Sequence, residues 1–234
     1  MAVRITEIFY SLSGEGMTVG IPTIFVRLAG CSLRCGQDGD RKMWCDTGYS
    51  LSFTSGEVQT VDFTLDWIEK TNPLAQIILT GGEPLEGEEK RKFCAVLSSR
   101  VWDKRHNLPF QATRVETSGS ESISEFPHCV FTIDYKLPGS GMEGRMLEKN
   151  FYSIRDRKNP LDEVKFVVRD HADFCRAKEI VQKFSLESTM LLFSPVHKEL
   201  ESAELAEWVK EAKYPNSRLS LQIHKILWGE RRGV

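Results

Sequence analysis

A chain of 234 residues, 41% of them hydrophobic, can bury a core large enough for one substantial domain, and α/β barrels of this size commonly stay undivided. Its 31 basic and 33 acidic residues leave a net charge of −2. That balance excludes the basic footprint of a protein that grips nucleic acid or an anionic membrane, and favours a small-molecule substrate.

The opening MAVRITEIFY lacks the apolar stretch of a secretory signal. IIL at 77–79 and MLLF at 190–193 are too short to span a bilayer. A cytoplasmic protein is expected, and in that reducing compartment six cysteines point to metal or redox chemistry before disulfides.

Along the chain, short β-branched or apolar runs recur: IFVRL at 24–28, QIIL at 76–79, TRVE at 113–116, VFTID at 130–134, EVKFVV at 163–168, MLLF at 190–193 and LSLQI at 219–223. Between them TLDWIEKT, EEKRKFCAVLSSRVW, ADFCRAKEIVQKF and SAELAEWVKEA space apolar residues by three and four, as amphipathic crossover helices do. The alternation predicts repeated β/α units on a mostly parallel sheet, in a single domain over 1–234. Polar motifs follow the runs: TGGEP the second, TSGS the third, YKLPGSG the fourth, SPVH the sixth and HK the last. Sites in such folds lie at the carboxyl ends of the strands, so one rim is expected to collect these motifs.

Cys31, Cys35 and Cys45 follow the first run in a loop at 31–45 that contains Gly36 and Gly39. Three thiolates are one fewer than an iron–sulfur cluster usually takes, which leaves one iron open to a ligand. Cys94 and Cys175 fall on predicted helices and Cys129 starts a strand, positions typical of a small buried hydrophobe. Structural zinc is the alternative, although it closes with four Cys or His ligands and no histidine is near in sequence. Spacing alone puts a cluster only slightly ahead.

The cysteine loop followed by Thr80-Gly81-Gly82-Glu83-Pro84 resembles the radical S-adenosylmethionine superfamily. YSLSGEG at 10–16, GIPTIFVRLAGC at 20–31, CDT at 45–47, YKLPGSG at 135–141, DEVKFVV at 162–168, SPVH at 194–197 and LQIHKILWG at 221–229 resemble, more closely, the 7-carboxy-7-deazaguanine synthases. The resemblance implies an incomplete (β/α) barrel of about six mostly parallel strands. It also implies a lyase that converts 6-carboxy-5,6,7,8-tetrahydropterin to 7-carboxy-7-deazaguanine, with ring contraction and ammonia loss, on the route to queuosine. A 4Fe–4S cluster, S-adenosylmethionine and Mg2+ are the implied cofactors. An electron donor such as a flavodoxin or ferredoxin and a second copy of the chain are the implied partners, with no direct nucleic acid and no membrane. A glycyl-radical activase shares the cluster and GGEP but does not explain GEG, CDT and QIHK together. A non-catalytic zinc or cluster scaffold is the rival from another class.

By the same resemblance Cys31, Cys35 and Cys45 hold the cluster and Thr47 holds Mg2+, where a turn hydroxyl is the ordinary reading of that threonine. Leu12, Ser13, Gly14, Glu15, Arg27, Thr80 and His224 contact substrate. Arg27 offers its planar fork to the substrate carboxylate, although a structural salt bridge is the better reading of such an arginine by itself. His224 by itself reads as a satisfied core histidine. Gly82, Glu83, Ser118, Asp134, Tyr135, Lys136, Ser194, Pro195, Val196 and His197 surround S-adenosylmethionine. Two departures stand out. The nine residues GQDGDRKMW at 36–44, where the family has two, read as a looped-out insertion, and lengthening a loop costs only about 0.6 kcal/mol per doubling. Ser13 stands where the family has glutamine.

Overall fold

The computed structural model describes residues 1–37, 43–105, 108 and 110–234. Among the described residues nine strands form one sheet: Ala2–Leu12 (β1), Pro22–Leu28 (β2), Glu57–Thr60 (β3), Gln76–Gly81 (β4), Thr113–Thr117 (β5), Cys129–Tyr135 (β6), Glu163–Val168 (β7), Met190–Pro195 (β8) and Ser217–Leu219 (β9). Their order is β3-β1-β2-β4-β5-β6-β7-β8-β9. The strands from β2 through β4 to β9 are parallel, and β1 runs antiparallel to both its neighbours. The terminal strands β3 and β9 do not pair with each other. This is therefore an incomplete barrel, whose parallel part is six strands followed by the three-residue β9.

The helices are Val61–Thr71 (α1), Glu88–Lys104 (α2), Glu148–Arg157 (α3), His171–Phe184 (α4), Ser202–Ala212 (α5) and the short Ile223–Trp228 (α6). Among the described residues no helix is long and apolar enough to cross a membrane. Local chemistry sets where they start. Thr60 caps α1 by accepting the Phe63 N–H at 3.1 Å, and Asp170 caps α4 by accepting the Asp173 N–H at 3.0 Å, each satisfying a backbone donor that the first turn leaves open. In α4 the buried Phe174, Ala177, Val181 and Phe184 recur at helical spacing and face the sheet.

Four features were not legible in the periodicity, the first of them the four-residue edge strand β3, which has no buried residue. β1 is mostly half-buried, so its alternation is diluted by Glu7 and Tyr10. α3 buries only Asn150, Phe151 and Ile154. The run LSLQI is a strand only as far as Leu219, and Ile223 already begins α6.

Period two divides the parallel strands into two faces. Under the helices lie Val26, Leu28, Ile77, Leu79, Val115, Phe131, Ile133, Val164, Phe166 and Phe193, all within one buried core. The opposite face carries polar residues two apart: Arg114 and Glu116 on β5, Thr132 and Asp134 on β6, Glu163 and Lys165 on β7. With Arg27 and Thr80 they line a cavity inside the curve of the sheet.

Candidate active site

The cavity has a volume of about 440 Å3 and is built in two polar layers. In the deeper layer Arg114 and Glu163 are 4% and 2% exposed and pair at 2.9 Å. Glu163 Oε2 also accepts the Thr132 hydroxyl at 2.6 Å, while Oε1 accepts the Met17 N–H at 2.5 Å. A buried carboxylate satisfied on both oxygens costs less than a lone charge. Here it also fastens the loop after β1, which carries Ser13 to Glu15, to the barrel floor.

The upper layer holds Arg27 beside Thr80 on adjacent strands and Asp134 beside Lys165. Lys165 pairs with Glu15, and Lys136 pairs with Asp134 at 2.5 Å. Burial disfavours the charge on Lys165, but Glu15, Asp134 and Glu116 around it hold its pKa above the ordinary lysine range. Glu116 is the opposite case. Burial, with Glu15 adding to it, pushes its carboxyl above the ordinary 4.5 against the pull of Lys165 and the Thr80 hydroxyl.

That shift has a thermodynamic sign. A carboxyl raised in the folded state adds most stability below its unfolded value, and stability falls as pH rises from 4.5 through the folded value. Glu116→Gln is therefore expected to raise the thermal midpoint at about pH 7 and to give no advantage at about pH 4. Melting curves of both proteins across that range check it, and a gain confined to acid pH would contradict it.

Arg27 uses its Nε on Glu7 at 2.7 Å, and Glu7 Oε1 also accepts the Tyr49 hydroxyl at 2.7 Å. The structural salt bridge therefore exists. Among the described residues it occupies only Nε, leaving the terminal fork of a cavity-lining side chain for a ligand. Leu12, Ser13, Gly14, Glu15, Thr80 and His224 line the same cavity. The Ser13 hydroxyl donates to Glu15 O at 3.1 Å, so it braces its own loop. His224 lies in the first turn of α6, its ring so close to Gly14 that a Cβ there would strike Nδ1; only glycine permits this approach. Burial holds the His224 pKa below 6.5, which keeps the imidazole neutral at neutral pH.

Cys31, Cys35, Cys45 and Thr47 lie on the cavity rim. The Trp44 N–H returns to Cys35 O at 3.2 Å, so the chain leaves Cys35 and comes back to it before Cys45. Of the insertion at 36–44, residues 38–42 lie outside the described residues. All three thiols are free. Burial pushes Cys31 up to about 11 and Cys35 above 9.0, with the neighbouring thiols adding to each. Such thiols need a metal to ionise at neutral pH. Among the described residues no three Cys, His, Asp or Glu side chains converge tightly enough for one metal ion. A cubane differs from zinc here, because each of its thiolates binds a different iron. Three free thiols on one cavity would give a cluster one ligand for each of three irons. Cys94 and Cys129 are buried in the core, and Cys175 sits on α4.

The residues expected around the cofactor divide. Gly82, Ser118, Asp134 and Lys136 line the cavity. The Glu83 carboxylate is 1% exposed and already accepts Thr117 Oγ1 at 2.8 Å, Leu85 N at 3.0 Å, Ser118 N at 2.7 Å and Ser118 Oγ at 2.5 Å. It works as a bracket between the ends of β4 and β5. Tyr135 turns its ring into the core against Phe151 and Phe166 and donates its hydroxyl to Glu143 at 3.0 Å, outside the cavity lining. Ser194 and Pro195 end β8 and Val196 and His197 follow it, all outside the cavity lining, with His197 3.8 Å from Glu230.

Sequence reading missed Glu7, Asp46, Arg114, Glu116, Glu163 and Lys165. The available signal was charge inside an apolar strand, repeated two residues apart, as in EVKFVV. Asp46 carried no such signal. Partial desolvation at the cavity mouth is outweighed by the hydrogen bond from Gln222 at 2.7 Å and by Lys165 and Lys225, which hold it below 3.8.

No family model matches the chain. It is 53% identical over 236 residues to a 7-carboxy-7-deazaguanine synthase of Leptospira interrogans, across 100% of this chain and 99% of the relative. Relatives of the same name from Koribacter versatilis and Clostridium acetobutylicum are 34% and 32% identical over 99% and 100% of this chain, and 100% of each relative. The crystal structure of QueE from Escherichia coli shares the fold, with a TM-score of 0.68 and 22% identity over 95% of this chain and 94% of that one. On full-length identity of this degree, the chain belongs to the 7-carboxy-7-deazaguanine synthase family.

Proposed function

We propose that the chain, acting as one domain, is a radical S-adenosylmethionine lyase that converts 6-carboxy-5,6,7,8-tetrahydropterin to 7-carboxy-7-deazaguanine. The observation that carries this reading is the single cavity that joins three free loop cysteines to a floor of paired charges. When bound, the cluster and S-adenosylmethionine supply the radical that opens the reaction, and the chain's residues position and protect it. Cys31, Cys35 and Cys45 would hold the cluster, with Gly82, Ser118, Asp134 and Lys136 facing the cofactor. Thr47 would give Mg2+ one hard oxygen, the remaining positions going to substrate and water. Arg27 takes the substrate carboxylate, while Glu15, Thr80, Glu116 and neutral His224 offer hydrogen bonds along the pterin edge. An electron donor of flavodoxin or ferredoxin type and a homodimer belong to this reading. Anaerobic purification should yield iron and sulfide with reductant-dependent cleavage of S-adenosylmethionine; zinc without turnover would favour a scaffold instead.

Arg27 gives a sharper expectation. Arg27→Lys keeps the charge but loses the fork, and Arg27→Ala removes both. A charged hydrogen bond contributes about 1.5–3 kcal/mol, so Arg27→Ala should weaken substrate binding roughly tenfold to hundredfold. Cleavage of S-adenosylmethionine without substrate should persist. Product formation across substrate concentrations checks this, with cluster content and thermal midpoint measured because Glu7 loses its partner. Wild-type affinity in Arg27→Ala would leave the Glu7 ion pair as the whole role of the residue.

A further inference from the structure

α2 buries an ammonium that the reading above does not use. Lys90 is 8% exposed, and its Nζ donates to Glu83 O at 2.6 Å, Gly30 O at 2.9 Å and Ala29 O at 3.2 Å. Three donors meet three acceptors, which exhausts the group. The Phe53 ring covers it with its centroid 5.3 Å away. Burial holds the Lys90 pKa below the ordinary 10.5, against the opposing pull of Glu86 and Glu83.

The three carbonyls belong to two different segments. Ala29 and Gly30 lead into Cys31, and Glu83 closes the glycine turn after β4. The segments touch elsewhere too: Gly82 N–H reaches Leu28 O at 3.0 Å and Glu83 N–H reaches Gly30 O at 2.9 Å. A Cβ on Gly82 would strike Gly30 O and sit 2.9 Å from Cys31 Cβ. A backbone pair packed this tightly has no slack, so the ammonium that gathers its carbonyls sets the separation of the segments. An apolar side chain would fill the same volume but leave Ala29 O without a partner, and reduce Gly30 O and Glu83 O to the Glu83 and Glu86 N–H groups alone.

We propose that Lys90 is a positioning residue that staples the cysteine loop to the glycine turn and keeps a fixed positive charge behind Cys31. This rests on the assignment of Cys31 to the cluster and of Gly82 to the S-adenosylmethionine surface. Two measurable properties depend on it: the affinity for S-adenosylmethionine, through geometry, and the midpoint potential of the cluster, through charge.

The test uses anaerobically reconstituted full-length protein as wild type, Lys90→Met, Lys90→Gln and Ile154→Ala, the last a core truncation on α3 remote from the site. Iron and sulfide content, thermal midpoint, midpoint potential and the change in the electron paramagnetic resonance signal on adding S-adenosylmethionine are read for each. Lys90→Met is expected to weaken S-adenosylmethionine binding roughly tenfold or more and to move the potential downward. Lys90→Gln, which keeps two donors without charge, should recover binding in part but not the potential. Ile154→Ala should lose thermal stability while keeping both properties. Wild-type affinity and potential in Lys90→Met would overturn the proposal, as would equal changes in Ile154→Ala. If Lys90→Met fails to fold, a wild-type potential in Lys90→Gln overturns it. Wild-type protein that takes up no iron would instead overturn the underlying assignment and the proposal with it.

Discussion

Alanine at Cys31, Cys35 or Cys45 is expected to abolish cluster assembly and cleavage of S-adenosylmethionine together. Cys94→Ala should preserve both. The contrast follows from placement. The first three thiols open onto one cavity at the ends of a loop that closes on itself through the Trp44 N–H and Cys35 O. Cys94 is fully enclosed in the core, its thiol 3.5 Å from Pro84 O. A three-thiolate cluster has no spare protein ligand, so one deletion leaves two irons without a thiolate. Iron and sulfide per chain after anaerobic reconstitution is the measurement. Full iron content in the three loop variants would contradict the placement.

Glu163→Gln is expected to be among the most destabilising changes in the chain. It leaves Arg114, 4% exposed, without its counter-charge in the barrel floor. Breaking a buried pair by removing one partner costs about 3–5 kcal/mol, a large part of the roughly 5–15 kcal/mol that holds a domain together. For a chain of this size the thermal midpoint should fall by about 6–20 °C. Removing both charges, as in Glu163→Gln with Arg114→Met, should recover much of that loss, since the penalty is mainly the orphaned guanidinium. Urea unfolding of the three proteins decides it, and a Glu163→Gln protein within about 1 kcal/mol of wild type would contradict it. The same carboxylate accepts the Met17 N–H, so the double variant should keep its fold yet bind substrate less well.

The strands and helices legible in the sequence are those with one consistent face. α4 presents Phe174, Ala177, Val181 and Phe184 to the sheet, and the spacing alone reveals it. The elements that escaped are those whose burial is mixed. β1 carries Glu7 as the counter-charge of Arg27, so function interrupts its alternation, and α3 has too few buried residues to mark a stripe. In the site, TGGEP, TSGS and YKLPGSG each put a residue on the cavity lining, Gly82, Ser118 and Lys136, because each is a local string at a strand end, whereas SPVH lies outside it. The lumen was harder, because its chemistry is assembled across strands. Arg114 and Glu163 are 49 residues apart in sequence, and only strand order makes them partners. Glu83 shows the reverse limit. Its motif marks it for the cofactor, yet its carboxylate already accepts four bonds, from Thr117, Ser118 and Leu85.

The most direct test of the functional claim is to incubate the reconstituted protein with S-adenosylmethionine, a low-potential reductant and 6-carboxy-5,6,7,8-tetrahydropterin, and to follow the products by mass. The reading predicts 7-carboxy-7-deazaguanine and released ammonia in equal amounts, dependent on all three components and absent from Cys31→Ala. Cluster-loaded wild-type protein that cleaves S-adenosylmethionine but leaves the carboxypterin unchanged would contradict it.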